Sequence, residues 1–267
     1  MTELGEPVAR GNTRPTGSVP SVTSRLNAFL IRAFDLTSAL ALLAVLLPLA
    51  IALAVAIKLD SRGPAVYRSR RVGAGGREFE MLKFRKMPDG AGGPPLTAPE
   101  DERFTRLGRF LARTKLDELP QLWNVVRGHM SLVGPRPEDP VFVERFRSAL
   151  EPLIRVRPGI TGLSQLAFAR ESEILDPENR ESHYVERILP QKIHMDTVYA
   201  EQRSLWGNVR ILFWTIAAVL FRRDVAVNRA TGQLGLRRRS EHEANPVPAE
   251  AAHPPEIVTV AVERSAA

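Results

Sequence analysis

From Leu36 to Ile57 the chain carries no charged side chain, and nearly every position is Ala, Leu, Ile or Val. At about 1.5 Å per residue, a helix of this length just reaches across a hydrocarbon core. A helix that is apolar all round needs lipid or a large protein core to cover it, and in a chain of 267 residues lipid is the expectation. Two features argue against a simple span. Pro48 sits mid-run, where it removes a backbone hydrogen bond and kinks a helix. Basic residues flank both ends, Arg25 and Arg32 before the run and Lys58, Arg62, Arg68, Arg70 and Arg71 after it. A spanning helix concentrates its positive charge on one side. The sequence therefore predicts a re-entrant membrane helix region over 25–58, entering a leaflet, turning at Pro48 and leaving on the same side.

The remaining segments read as a helical domain with little β structure. Ala65–Tyr67 and Glu78–Leu82 flank the turn-forming Gly73-Ala74-Gly75-Gly76, which predicts a β-hairpin. Asp89 to Pro95 reads as a mobile surface loop. Trp206 to Phe221 is a second apolar helix, too short to span; its Trp and Arg ends fit a helix in the headgroup plane, and an ordinary core helix fits as well. Residues 1–24, rich in Gly, Pro, Ser and Thr, and residues 236–267, rich in Ala, Pro and Glu, read as disordered tails. The expected fold is thus α with minor β: a re-entrant helix, a small hairpin and a helical catalytic domain over 59–225 with interfacial amphipathic helices.

Composition narrows the chemistry. The chain has no cysteine, which excludes disulfides, thiolate nucleophiles and thiolate zinc sites. His129, His183 and His194 lack metal-ligand spacing. The net charge is +7, and five of the 37 basic residues are Lys against 32 Arg. Guanidinium groups grip phosphate and carboxylate, so anionic lipid, nucleic acid and phosphorylated substrates all remain open.

The stretch from Asp101 to Val126 is more specific. Arg103, Arg106, Arg109, Arg113 and Lys115 precede Asp117-Glu118, and Pro120 is suited only to a first helical turn. A helix starting near Leu119 places both carboxylates at its N-terminus, where backbone N–H groups favour anions. Acidic residues there are ordinarily caps. The basic segment before them and the rigid Gly134-Pro135-Arg136-Pro137 loop after them point instead to phosphate chemistry.

Four stretches then occur in order: Lys83-Phe84-Arg85-Lys86-Met87, Leu116 to Leu122, Ser131 to Pro137 and Arg157 to Gly162. Together they resemble the bacterial sugar transferases, the monotopic phosphoglycosyl transferases, over about Arg32 to Arg223. The resemblance implies transfer of a sugar-1-phosphate from a nucleotide-sugar donor, usually a UDP-sugar, to a polyprenyl phosphate acceptor. It implies Asp117 as the nucleophile that forms a covalent phosphosugar intermediate and Glu118 as its partner, with Mg2+ (or Mn2+) at the pair. Arg113, Arg136, Lys83 and Arg85 fall in its substrate-binding motifs. It further implies a bacterial inner-membrane protein whose catalytic domain faces the cytoplasm among phospholipids, in the small form without added N-terminal transmembrane helices. Nucleic acid is not an expected partner; a homodimer is left open. Asp196 and Tyr199 match a less specific family region, compatible with a site or a structural role. The sequence departs from the family pattern at Leu47 and Lys115, where serine is usual, and at Arg62, where proline is usual. The rivals are a membrane-anchored nucleic-acid-binding or regulatory protein, and a hydrolase that passes the same intermediate to water.

Overall fold

The computed structural model describes residues 22–93, 101–169, 174, 179–221, 223 and 225–236. The two expected tails therefore lie largely outside the described residues, as do Pro94 and Pro95 of the predicted loop. Val22–Ser24 already belong to the first helix, and Leu236 closes the last strand.

Helix α1 spans Val22–Asp60 as one uninterrupted α-helix through Pro48. Pro48 therefore does not divide the helix into two separate elements. Instead one stripe of α1 packs along the domain. Ile31, Asp35 and Ala39 are buried toward the N-terminal end and Leu53 and Ile57 toward the other, with Leu43, Leu46 and Ala50 half-buried between them. These positions step by three or four residues, so they share a face. The opposite face is bare apolar surface: Val45 is 75% exposed, and Leu40, Leu47, Ile51 and Val55 are also exposed. Among the described residues α1 contains the one run long and apolar enough to cross a membrane.

Polar contacts fix both ends of α1 to the same body. Near the start, Asn27 Nδ2 donates to Arg203 O at 2.9 Å, and Arg32 donates to the carbonyls of Val125 and Val126. One turn on, the Asp35 carboxylate accepts from Ser131 Oγ at 2.6 Å and Leu132 N at 3.0 Å. At the far end, Arg85 donates to the carbonyl oxygens of Ser61 and Arg62.

The predicted hairpin is β1 (Val66–Val72) and β2 (Glu78–Phe84), paired antiparallel with Ser69 opposite Met81. Its glycine cluster forms a 3-10 turn in which Gly75 and Gly76 adopt φ near +70°, the left-handed region that glycine enters without a Cβ clash. Then follow α2 (Arg106–Thr114), a 3-10 turn (Leu116–Glu118), α3 (Gln121–Val126), β3 (Ser131–Val133), α4 (Pro140–Arg145), α5 (Arg147–Ile154), β4 (Gly159–Thr161) and α6 (Leu163–Ala167). Strands β3 and β4 pair in parallel. A helical turn (Arg180–His183) and a π-helical turn (Tyr184–Ile188) lead into α7 (Leu189–Gln202), followed by α8 (Leu205–Leu220) and an antiparallel pair, β5 (Val225–Val227) and β6 (Leu234–Leu236). The main core gathers Leu122, Val125, Met130, Val133, Met195 and Ile211; a smaller one joins Leu53 and Ile57 of α1 to Phe84 and Leu111. Helix α8 buries Asn208 and Ile211 but leaves Trp206 78% exposed, with Phe213, Ile216 and Leu220 also bare. It is a half-exposed apolar helix rather than a core helix.

Candidate active site

Asp117 and Glu118 lie in the 3-10 turn between α2 and α3, and Asp117 is buried. The turn is set by Lys115, at φ +59° the one non-glycine residue with positive φ among the described residues. It ends α2 and redirects the chain at once. Helix α3 has only six residues, so the site owes little to a helix dipole. The carboxylates are balanced by side chains instead.

Two local devices bring those side chains to the turn. The buried Asn124 on α3 behaves like an extra strand: its Oδ1 accepts from Leu82 N at 2.9 Å, and its Nδ2 donates to Glu80 O at 2.7 Å. This fastens α3 to the edge of β2, the strand that carries Lys83. Just beyond β2, Thr105 N donates to Lys86 O at 3.0 Å, and α2 sits so close that a Cβ on Gly108 would lie 1.9 Å from that carbonyl. Only glycine permits this approach. Lys86 is thereby fixed with its Nζ 3.2 Å from Asp117 Oδ2 and 5.4 Å from the centre of the Phe104 ring.

Glu118 faces two cations. Arg136 Nη2 lies 3.4 Å and Lys83 Nζ 3.8 Å from its Oε1. Arg136 is delivered by a rigid joint between two of the sequence motifs. Gly134 N donates to Thr161 O, and Gly159 N donates to Pro135 O at 2.8 Å. A Cβ at Gly159 would lie 2.0 Å from Gly134 N, so the two backbones are in direct contact.

The electrostatics follow from crowding. Burial works to raise the Glu118 carboxyl, but Arg136 first, then Lys83, Lys115 and Lys86, outweigh it and hold the group below the usual carboxylate range. Lys83 is pushed down to about 7 by burial and by the Arg136 charge, against the opposing pull of Glu118 and Asp117. Four basic side chains thus surround two carboxylates, a balance of charge suited to a diphosphate.

The candidate residues do not all converge. Lys83, Arg136, Asp117 and Glu118 form one cluster. Arg85 is buried and directs its guanidinium to Ser61 and Arg62, closing the end of α1. That contact uses the carbonyl of Arg62, whose side chain is exposed, so the departure from proline leaves it intact. Arg113 is exposed on α2 with Arg106 and Arg109, and its side chain makes no hydrogen bond or ion pair among the described residues. Arg103 is paired with Asp101 at 2.7 Å. Asp196 and Tyr199 are buried and bonded within the protein, to Ser164 and to Val133 O and Asn208. Sequence reasoning quoted Lys86 within a motif but did not single it out, and it missed Asn124 and Gly108. A four-residue stretch with three cations was the available signal for Lys86; nothing local marked the other two.

The donor set bears on a metal. The short cation contacts fall on Asp117 Oδ2 and Glu118 Oε1, and the other oxygen of each carboxylate accepts no hydrogen bond among the described residues. Among the described residues no cluster of three or more His, Asp or Glu could hold a metal. One carboxylate pair suits a hard cation that shares a substrate's phosphate oxygens.

Comparison with known proteins identifies the family. The bacterial sugar transferase family matches residues 26–222. A UDP-glucose:undecaprenyl-phosphate glucose-1-phosphate transferase of Caulobacter vibrioides is 36% identical over 223 residues, covering 82% of this chain and 79% of that protein. An undecaprenyl-phosphate glucose phosphotransferase of Komagataeibacter xylinus is 39% identical over 72% of this chain and 36% of its own length. A UDP-N-acetylgalactosamine-undecaprenyl-phosphate N-acetylgalactosaminephosphotransferase of Aeromonas hydrophila is 37% identical over 74% of this chain and 45% of its own. The chain thus spans less than half the length of the last two and most of the first. With the matched region covering all but the first four residues of α1, the hairpin and the whole carboxylate site, the chain belongs to the bacterial sugar transferase family.

Proposed function

We propose that this protein transfers a sugar-1-phosphate from a nucleotide diphosphate sugar, most simply a UDP-sugar, to a polyprenyl phosphate at a membrane surface, through a phosphosugar ester of Asp117. The observation that carries this reading is a buried aspartate held by Lys86 beside a glutamate held by Arg136 and Lys83, on a domain edged by a bare apolar helix.

A carboxylate is a competent nucleophile toward phosphorus once the charge it approaches is neutralised. One oxygen of Asp117 bonds to the sugar-bearing phosphorus, the bridging P–O bond breaks, and the nucleoside monophosphate leaves with the electron pair. An oxygen of the polyprenyl phosphate then bonds to the same phosphorus, the acyl-phosphate bond breaks, and Asp117 returns as a carboxylate. Arg136 and Lys83 bind and orient the diphosphate, while Lys86 holds Asp117 in place. The free carboxylate oxygens of Asp117 and Glu118 fit Mg2+, with Mn2+ as a substitute; bound there, the ion supplies further neutralisation of phosphate charge.

The acceptor's lipid tail requires the site to stand at the headgroup level. Supporting this, the bare faces of α1 and α8 carry large apolar side chains with no protein cover. Both ends of α1 bond to one folded body, which favours a helix held in one leaflet with both termini on the same side of the membrane, the cytoplasmic side. This reading keeps both ends of α1 on one side of the membrane while the helix itself stays unbroken through Pro48.

The relatives differ in the sugar they are named for, so the donor is found by assay. Purified protein with undecaprenyl phosphate in detergent, supplied with a panel of UDP-sugars, should release UMP with at least one of them, and chelation by EDTA should stop it. Release from none, or sustained turnover with acceptor omitted, would contradict the proposal; the second result indicates a hydrolase.

A further inference from the structure

Behind the site lies a chain of buried polar groups that the proposed chemistry does not use. Tyr184, Lys192, Asp196 and Ser164 are all buried in the interior. Burying such groups is costly unless each is satisfied, and a satisfied network rigidifies what it touches.

The network begins and ends on the Arg136 loop. At one end Tyr184 Oη donates to Glu138 Oε1 at 3.1 Å, two residues past Arg136. Lys192 Nζ donates to Tyr184 Oη at 3.3 Å and lies 4.9 Å from the ring centre. One turn further along α7, Asp196 faces the Lys192 charge and bonds Ser164 Oγ at 2.8 Å. Ser164 Oγ lies 3.0 Å from Gln165 Oε1, and Gln165 Nε2 donates to Gly134 O at 3.3 Å, two residues before Arg136. Gly162 allows this closure, since a Cβ there would lie 2.4 Å from Gly134 O. The π-helical turn Tyr184–Ile188 begins at the tyrosine that reaches the loop, and such turns recur at functional sites.

One detail ties the network together. A single Ser164 hydroxyl hydrogen cannot serve both Asp196 and Gln165. With Asp196 protonated, its O–H donates to Ser164 Oγ, and Ser164 in turn donates to Gln165. Burial pushes the Asp196 carboxyl up to about 7, toward this neutral form.

We infer that Tyr184, Lys192, Asp196, Ser164 and Gln165 form a buried clamp that grips both ends of the Gly134–Glu138 loop and so positions the Arg136 guanidinium for the donor diphosphate. These are positioning residues: none touches Asp117 or Glu118 among the contacts described. The inference rests on the reading of Arg136 as a phosphate-binding group, so its test has one arm that needs no activity.

Tyr184→Phe removes one oxygen and keeps the ring. In the full-length protein it should lower kcat/KM for the donor about tenfold, chiefly through KM. Glu138→Gln keeps an acceptor for the tyrosine and should stay within about twofold of wild type, whereas Glu138→Ala should match Tyr184→Phe. In an Arg136→Lys background Tyr184→Phe should cost less than about twofold, because the group it positions is already gone. Independently of turnover, NMR of the Arg136 Nε–H should report greater side-chain mobility in Tyr184→Phe than in wild type. An equal loss in both backgrounds, or unchanged Arg136 mobility, would overturn the clamp. Increased mobility in a protein that releases no UMP from any UDP-sugar would keep the clamp and reject the function.

Discussion

Lys86 Nζ lies 3.2 Å from Asp117 Oδ2, so the buried carboxylate assigned to nucleophilic attack is held by a lysine from a distant strand end rather than by the start of its own helix. An unpaired carboxylate in that position would be costly. Lys86→Met should therefore lower kcat by about 100-fold, with Lys86→Arg recovering part of the loss. Steady-state kinetics at saturating donor measures this; a kcat within about threefold of wild type in Lys86→Met would remove Lys86 from the account.

Lys83, lowered to about 7, gives the donor step a pH limb. Lys83 carries its charge below that value and loses it above, while a nucleotide diphosphate sugar does not titrate there. In the free enzyme kcat/KM for the first half-reaction should fall as pH rises through about 7. Lys83→Arg should keep the charge and flatten the profile up to about pH 9. A limb that survives the substitution belongs to another group.

Asp196, raised to about 7 by burial, acts on stability with a definite sign. Its native carboxyl holds a proton that the unfolded chain releases near the ordinary carboxylate value. Its stabilising contribution is therefore complete at low pH and is lost as pH rises through about 7. Asn mimics the neutral acid and retains both a donor and an acceptor for Ser164. Between pH 5 and 8, the Tm of wild type should fall relative to Asp196→Asn by roughly 2–8 °C. Parallel melting curves would place the ionised form in the fold.

Topology can be read with single cysteines, since the chain has none of its own. Arg25 and Arg70 are both exposed, one at the start of α1 and one on β1 beyond its end. Arg25→Cys and Arg70→Cys should react with a membrane-impermeant maleimide from the same side of sealed vesicles. Labelling from opposite sides would make α1 a span.

Much of this was legible in one dimension because the signals were local. The apolar run, the glycine turn and the Asp-Glu pair before Pro120 are properties of neighbouring residues, and helix α1, the β1–β2 hairpin and the 3-10 turn appear where those signals stand. The break expected at Pro48 does not appear. Proline lacks a donor, but the stripe from Ile31 to Ile57 docks along the domain and holds the helix together across it. The site was half legible for a related reason. Arg85 and Lys86 are adjacent in the chain, yet one caps α1 and the other pairs with Asp117. What separates them is the seat of α2 against Lys86 O through Gly108, a tertiary contact with no sequence period. Asn124 and the clamp behind Arg136 are likewise long-range bonds between residues that look ordinary in isolation.

The central claim is the ester on Asp117. Enzyme mixed with an accepted UDP-sugar in the absence of polyprenyl phosphate should release UMP in a burst of about one equivalent and then stall. Intact-protein mass spectrometry should show one added sugar phosphate, mapping to the peptide that contains Asp117 and discharged when the lipid phosphate is added. A burst and adduct that persist in Asp117→Asn, or lipid-linked product formed with no adduct at any time, would contradict it.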